Sequence, residues 1–186
     1  MPNPKPNESA FWRFLKEKPW GPFLADVNTR LTQEVKLFCI GGFVLRAVYD
    51  IPRVTADLDY LEVFPKEAAE ELESIAGQGS DLSRKHGVFT HNAGYIEMPH
   101  EYEDRLLELE LKLERLHLFV PDPYDLLLSK MLRNSGKDRD DAKFLITKLG
   151  LQYGPFKARF DEELSWVSNR PYREKTVELW KEFFPG

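Results

Sequence analysis

Two carboxylates, Asp57 and Asp59, stand two residues apart at the start of a run of strand character, Asp-Leu-Asp-Tyr-Leu-Glu-Val. Side chains at i and i+2 of a strand share a face, so both point the same way with their backbones roughly 6–7 Å apart. Like charges this close raise each other's pKa unless a cation neutralises them. Mg2+, with Mn2+ as its substitute, is a hard cation that takes oxygen ligands and leaves positions for phosphate oxygens. Upstream, an apolar run (Val35, Leu37, Phe38, Ile40) stops at Gly41 and Gly42. Glycine there lets a ligand come close to uncovered backbone N–H groups, and phosphate is the natural ligand for such donors. A strand, a glycine turn, a helix and a second strand opening on the two acids are the elements that must position this chemistry.

Residues 39–63 resemble the nucleotidyltransferase superfamily, the polymerase-beta-like enzymes, whose signature is a Gly-Gly or Gly-Ser turn, a helix and an Asp-x-Asp strand. Gly41, Gly42, Asp57 and Asp59 carry the match, and Arg53 and Thr55 look like the lead-in of its toxin-like and uncharacterised bacterial branches, related to the abortive-infection toxin-like enzymes. Residues 121–145 look like the helical part of those branches, with Lys130, Arg133, Asp138 and Asp141 at the matching positions. Together the two blocks span residues 35–149.

The resemblance implies transfer of a nucleoside monophosphate from a nucleoside triphosphate to RNA, protein or a small molecule. In a toxin-like or defence role it also implies an antitoxin-like protein partner. Asp57 and Asp59 would hold Mg2+ and Gly41 and Gly42 would face the triphosphate. Lys130 would reach phosphate from the helical part, with Arg53 and Thr55 assisting, and Asp138 and Asp141 would position Lys130 or the acceptor. Active members add a third carboxylate from a neighbouring strand, for which Glu97 occupies the best place and Glu108 and Glu110 are alternatives. The other reading is a non-catalytic nucleotide-binding or interaction domain on the same fold.

A chain of 186 residues is long enough to bury a full core. Its formal net charge of -5 argues against an extended nucleic-acid-binding surface, since Lys and Arg supply most non-specific affinity for phosphate backbones. The single cysteine, Cys39, excludes an internal disulfide and reads as a buried packing residue. No apolar run approaches the roughly 18–20 residues of a membrane span, and the N-terminus lacks a secretory signal, so a cytoplasmic protein is expected. His86, His91, His100 and His117 are scattered, without the spacing of a helical zinc pair, and no Walker-type or nucleophile-elbow pattern occurs.

The expected fold is α+β: a mixed sheet of about five strands with flanking helices over residues 1–120, followed by a helical part over 121–186, packed as one domain. Helices are expected at Phe11–Lys18, from Pro22, from Pro65 to the stop at Gly77, as a short turn reaching His86, and at 122–133, 138–149, 155–167 and 171–184. The acids on the Pro65 helix read as its solvated face. Asp122 reads as an N-cap, with Pro123 at the first helical position and Asp125 in the first turn in a structural role. Val88–Thr90 and Tyr95–Met98 flank Asn92-Ala93-Gly94, the signal of a hairpin. The strict alternation of Leu107–Leu113 predicts one strand and Leu116–Val120 another.

Overall fold

The computed structural model describes residues 8–16 and 18–185. The described residues form two compact units, one from residues up to 95 together with 106–120, the other from 96–105 together with 121–185.

The first unit holds helices α1 (Glu8–Lys16), α2 (Trp20–Arg30), α3 (Gly41–Ala47), α4 (Ala68–Ala76) and α5 (Asp81–His86). Its strands are β1 (Val35–Ile40), β2 (Asp57–Phe64), β3 (Phe89–Asn92), β4 (Leu107–Leu109) and β5 (Leu116–Val120). They form one five-stranded sheet in the order β3-β2-β1-β5-β4. The sheet is mixed: β1 runs antiparallel to β2 and parallel to β5, β3 is parallel to β2, and β4 is antiparallel to β5. Val35, Leu37 and Cys39 on β1, Leu58, Tyr60 and Val63 on β2, and Leu116, Leu118 and Val120 on β5 are all buried. That alternation marks one face of the sheet as the core side. Trp20 and Phe43 pack edge to face with centroids 4.9 Å apart, tying α2 to α3.

A bulge in β2 decides which way the acids point. Phe38 pairs with Glu62 while the next residue, Cys39, pairs with Tyr60, so Leu61 is the extra residue. Without it, Val63, Leu61, Asp59 and Asp57 would share one face, and Val63 is buried in the core. The extra residue exchanges the faces beyond it. Leu58 and Tyr60 therefore join the core, and Asp57 and Asp59 turn to the half-exposed face.

Two expectations are corrected. The Asn92-Ala93-Gly94 signal does not make a hairpin, because β3 pairs in parallel with β2 and Tyr95–Met98 is not a strand. The signal is satisfied locally instead: Gly94 N–H donates to the Asn92 side chain at 2.8 Å and Gly94 has φ +67°. Ala93 N–H continues the pairing with β2 by donating to the Tyr60 carbonyl at 2.9 Å. The second correction shortens the strand at Leu107–Leu113 to Leu107–Leu109. Leu107 lies opposite Val120 and Leu109 opposite Leu118. That register would carry residue 113 opposite 114, so a strand running through Leu113 would leave no residues for the reversal. Steric closure overrides the alternation.

The second unit is helical, with α6 (Pro123–Arg133), α7 (Gly136–Leu149), α8 (Tyr153–Glu163) and α9 (Arg170–Trp180). Asp122 caps α6, accepting from Tyr124 and Asp125 N–H groups at 2.8 and 2.9 Å, a device worth about 1 kcal/mol. Asp125 is fully buried and accepts two bonds of 2.9 Å from Arg105 and one from Arg159, so its role is structural. Asn134 and Gly150 close α6 and α7 in the left-handed conformation. The last helices begin one or two residues before their expected proline starts and end about four residues early, with Lys181–Phe183 as a 3-10 turn. Among the described residues no helix is long and apolar enough to cross a membrane.

Candidate active site

The glycine turn, the acidic strand and the loop between them meet within the first unit. Ile40 pairs with Asp59, so the end of β1 delivers the glycines beside that carboxylate. Both glycines lie in the first turn of α3. Gly41 has φ +78°, and a Cβ placed on it would come to 2.5 Å from Asp59 Oδ2. Two demands therefore require glycine there: a left-handed backbone and the space occupied by the carboxylate. Gly42 faces the loop, where a Cβ would meet Arg53 Nε and Thr55 Oγ1, each at 3.0 Å. Gly41→Ala is expected to lower stability by about 1–2 kcal/mol from the backbone alone. It should also displace Asp59, so chemical denaturation and metal titration of the variant should both show a loss.

Each aspartate has one oxygen held by a neighbour. The Thr55 hydroxyl donates to Asp57 Oδ1 at 2.6 Å. Asp59 Oδ1 lies 3.0 Å from His91 Nδ1, on the strand that flanks β2. Burial, and after it the Asp59 charge, push the Cys39 thiol up, which keeps it protonated and unsuited to nucleophilic work. An open recess of about 640 Å3 is lined by Arg46, Asp50, Pro52, Arg53 and Val54. Arg46 Nη1 stands 3.1 Å from Asp50 Oδ1 there. Arg53 thus links the recess to Gly42, where a Cβ would also meet Thr55.

The remaining expected residues lie in the second unit and are engaged there. Glu97 Oε2 stands 3.5 Å from Arg173 Nη2. Lys130 is only 2% exposed, its ammonium 2.8 Å from Asp141 Oδ2 and 3.7 Å from Asp138 Oδ1. Burial pushes Lys130 down, against the two carboxylates that favour its charge. Asp138 closes a capping box with Ser135 at the start of α7 and also receives Arg133 Nε at 2.9 Å. Burial pushes its carboxyl up, but the hydrogen bonds from Arg133 and Ser135 outweigh that and hold it at about 2. A depressed carboxyl stabilises the fold above its ordinary value of 3.8 and loses that contribution as pH falls toward 2. Acid titration of Asp138→Asn, followed by circular dichroism, should accordingly show a shallower loss of stability between about pH 4 and 2 than the parent chain.

Of the alternatives to Glu97, Glu108 is taken up by His117 at 3.1 Å and Glu110 is exposed just past β4. The residues paired with Asp59 in the sheet are Ile40 and His91. Sequence reasoning passed over His91 because nothing in Phe-Thr-His-Asn announces a parallel register with a strand about thirty residues away. Among the described residues no group of three or more His, Cys, Asp or Glu is disposed to hold a metal ion.

Two carboxylates nevertheless fit Mg2+, which is commonly bound by one or two carboxylates plus substrate phosphates rather than by an all-protein cage. The absence of a side chain at Gly41 lets Asp59 Oδ2 sit directly against the glycine turn. A model of the family described as "Nucleotidyltransferase of unknown function (DUF6036)" matches residues 24–183. No curated protein and no solved structure matches the chain significantly.

Proposed function

Because the chain belongs to this family of nucleotidyltransferases of unknown function, we propose that it moves a nucleoside monophosphate from a nucleoside triphosphate to an acceptor, with Mg2+ held by Asp57 and Asp59. The observation that carries this reading is the meeting of Gly41 with Asp59 Oδ2, which sets the glycine turn against the acidic pair. In the reaction an acceptor oxygen bonds to the α-phosphorus, the bond to the α–β bridging oxygen breaks, pyrophosphate departs and the acceptor proton is released to solvent. Such transfers depend on positioning and charge neutralisation rather than on a covalent enzyme intermediate. The chemistry that Mg2+ supplies when bound is neutralisation of phosphate charge and stabilisation of the leaving group.

The chain's own residues do the positioning. Thr55 orients Asp57 through its hydroxyl. Gly41 and Gly42, lacking side chains, let Asp59 and the Arg53–Thr55 loop pack directly against the turn. Arg53, standing against Gly42, supplies positive charge for the anion. Lys130, held by Asp138 and Asp141, braces α6 against α7, and Glu97 serves its ion pair with Arg173. RNA, protein and small molecules remain the acceptor classes, and a toxin-like role with an antitoxin-like partner is the biological setting that the resemblance suggests.

The test uses each of the four nucleoside triphosphates labelled at the α-phosphate, with Mg2+ or Mn2+ and with total RNA or total protein as acceptor. Label should enter one acceptor pool and pyrophosphate should appear in step. Absence of both with every nucleotide and acceptor would remove the transfer reading. One observation favours the second reading, a nucleotide-binding domain without turnover: no third carboxylate joins the pair in a metal-holding group among the described residues. In that case equilibrium dialysis detects nucleotide binding that depends on Asp57 and Asp59, and no pyrophosphate forms.

A further inference from the structure

Asp59 presents two oxygens in different surroundings. Oδ1 lies 3.0 Å from His91 Nδ1, and Oδ2 packs against Gly41, 2.5 Å from where a Cβ would stand. His91 holds its place through the strand pairing: Leu58 with Thr90, Asp59 with His91 and Tyr60 with Asn92 fix its register, and Thr90 is buried on the core side. The ring therefore projects on the same face as the acids, with its side chain 56% exposed. An exposed hydrogen bond of this kind contributes little to folding. Its geometric effect is larger, because a hydrogen bond to Oδ1 fixes the orientation of the carboxylate and with it the direction of Oδ2.

We propose that His91 is the positioning residue of Asp59: donating from Nδ1 to Oδ1, it fixes the carboxylate so that Oδ2, beside Gly41, is presented to a divalent cation. This rests on the reading of Asp57 and Asp59 as the cation site and adds a residue that reading did not contain. Thr55 acts on Asp57 in the same manner, its hydroxyl engaging Oδ1 at 2.6 Å. Both acids are thus oriented by hydrogen bonds from side chains beside them in the fold. Partners that hydrogen-bond to a metal-binding group change metal affinity by roughly 10–100-fold when removed.

Titration of the full chain with Mn2+ alone, followed by electron paramagnetic resonance of the free ion and paired with thermal unfolding, tests this. His91→Ala should weaken Mn2+ by about 10-fold or more, within the range for such partners. Its unfolding midpoint should stay within about 2 °C of the parent, as for an exposed contact. His91→Asn, whose amide nitrogen falls near the place of Nδ1, should recover most of the affinity. His91→Gln, whose amide reaches further out, should not. Parental affinity in His91→Ala overturns the proposal while leaving the acidic pair as the site, and equal loss in His91→Asn and His91→Ala overturns it in favour of ring bulk. A parent chain that binds Mn2+ no better than Asp59→Asn overturns the site itself and this proposal with it.

Discussion

Lys130→Ala is expected to cost about 3–5 kcal/mol of stability, the scale for removing one partner from a buried ion pair. The ammonium lies 2.8 Å from Asp141 and 3.7 Å from Asp138, in a setting where the lysine is 2% exposed. Truncation removes a cation from beside two buried carboxylates. For a chain of this length each kcal/mol moves the thermal midpoint by about 2–4 °C, so calorimetry should show a fall of roughly 10 °C or more. Lys130→Met combined with Asp141→Asn should recover most of it, since removing both charges of a buried pair is far less costly than removing one. The opposite pattern, unchanged stability with transfer reduced roughly 100-fold, would assign the lysine to phosphate instead.

Asp57→Asn and Asp59→Asn are each expected to lower nucleotide transfer by about 100- to 1000-fold, the effect of removing one charge-stabilising group from a preorganised site. Neither substitution should unfold the chain. Both carboxylates sit on the half-exposed face of β2, and removing one of two like charges relieves repulsion. The thermal midpoint should therefore hold or rise slightly while pyrophosphate release collapses. Asp59→Asn should affect metal affinity more than Asp57→Asn, because Asp59 Oδ2 is the oxygen set against Gly41. Full transfer in both variants would remove the pair from the site, and a collapsed thermal transition would make them structural.

Local chemistry was legible where a residue type answers a local demand. Gly41 and Gly42 mark a turn that only glycine can make beside Asp59, and Asp122-Pro123 is an N-cap followed by a residue preset for the first helical turn. Asn134 and Gly150 end their helices in left-handed backbone for equally local reasons. The five-stranded mixed sheet with flanking helices follows from the hydrophobic patterns of the same segments. His91 was illegible because its function comes from a partner on another strand, and a parallel register has no turn to announce it. The hairpin signal at Asn92-Ala93-Gly94 misled for a related cause: a turn can form locally without its flanks pairing with each other.

The order of glycines, helix and paired acids, and hence the class of chemistry, is determined by residue types along the chain, since each type carries its conformational freedom or its charge wherever it stands. Which face of the sheet bears the acids was decided only in three dimensions. Plain alternation puts Asp57 and Asp59 on the face of Val63, which is the core. The extra residue at Leu61, which lets Phe38 keep Glu62 while Cys39 takes Tyr60, sends them to the other. One unpaired residue reverses every side chain beyond it, and whether a strand carries such a residue depends on the partner it must match.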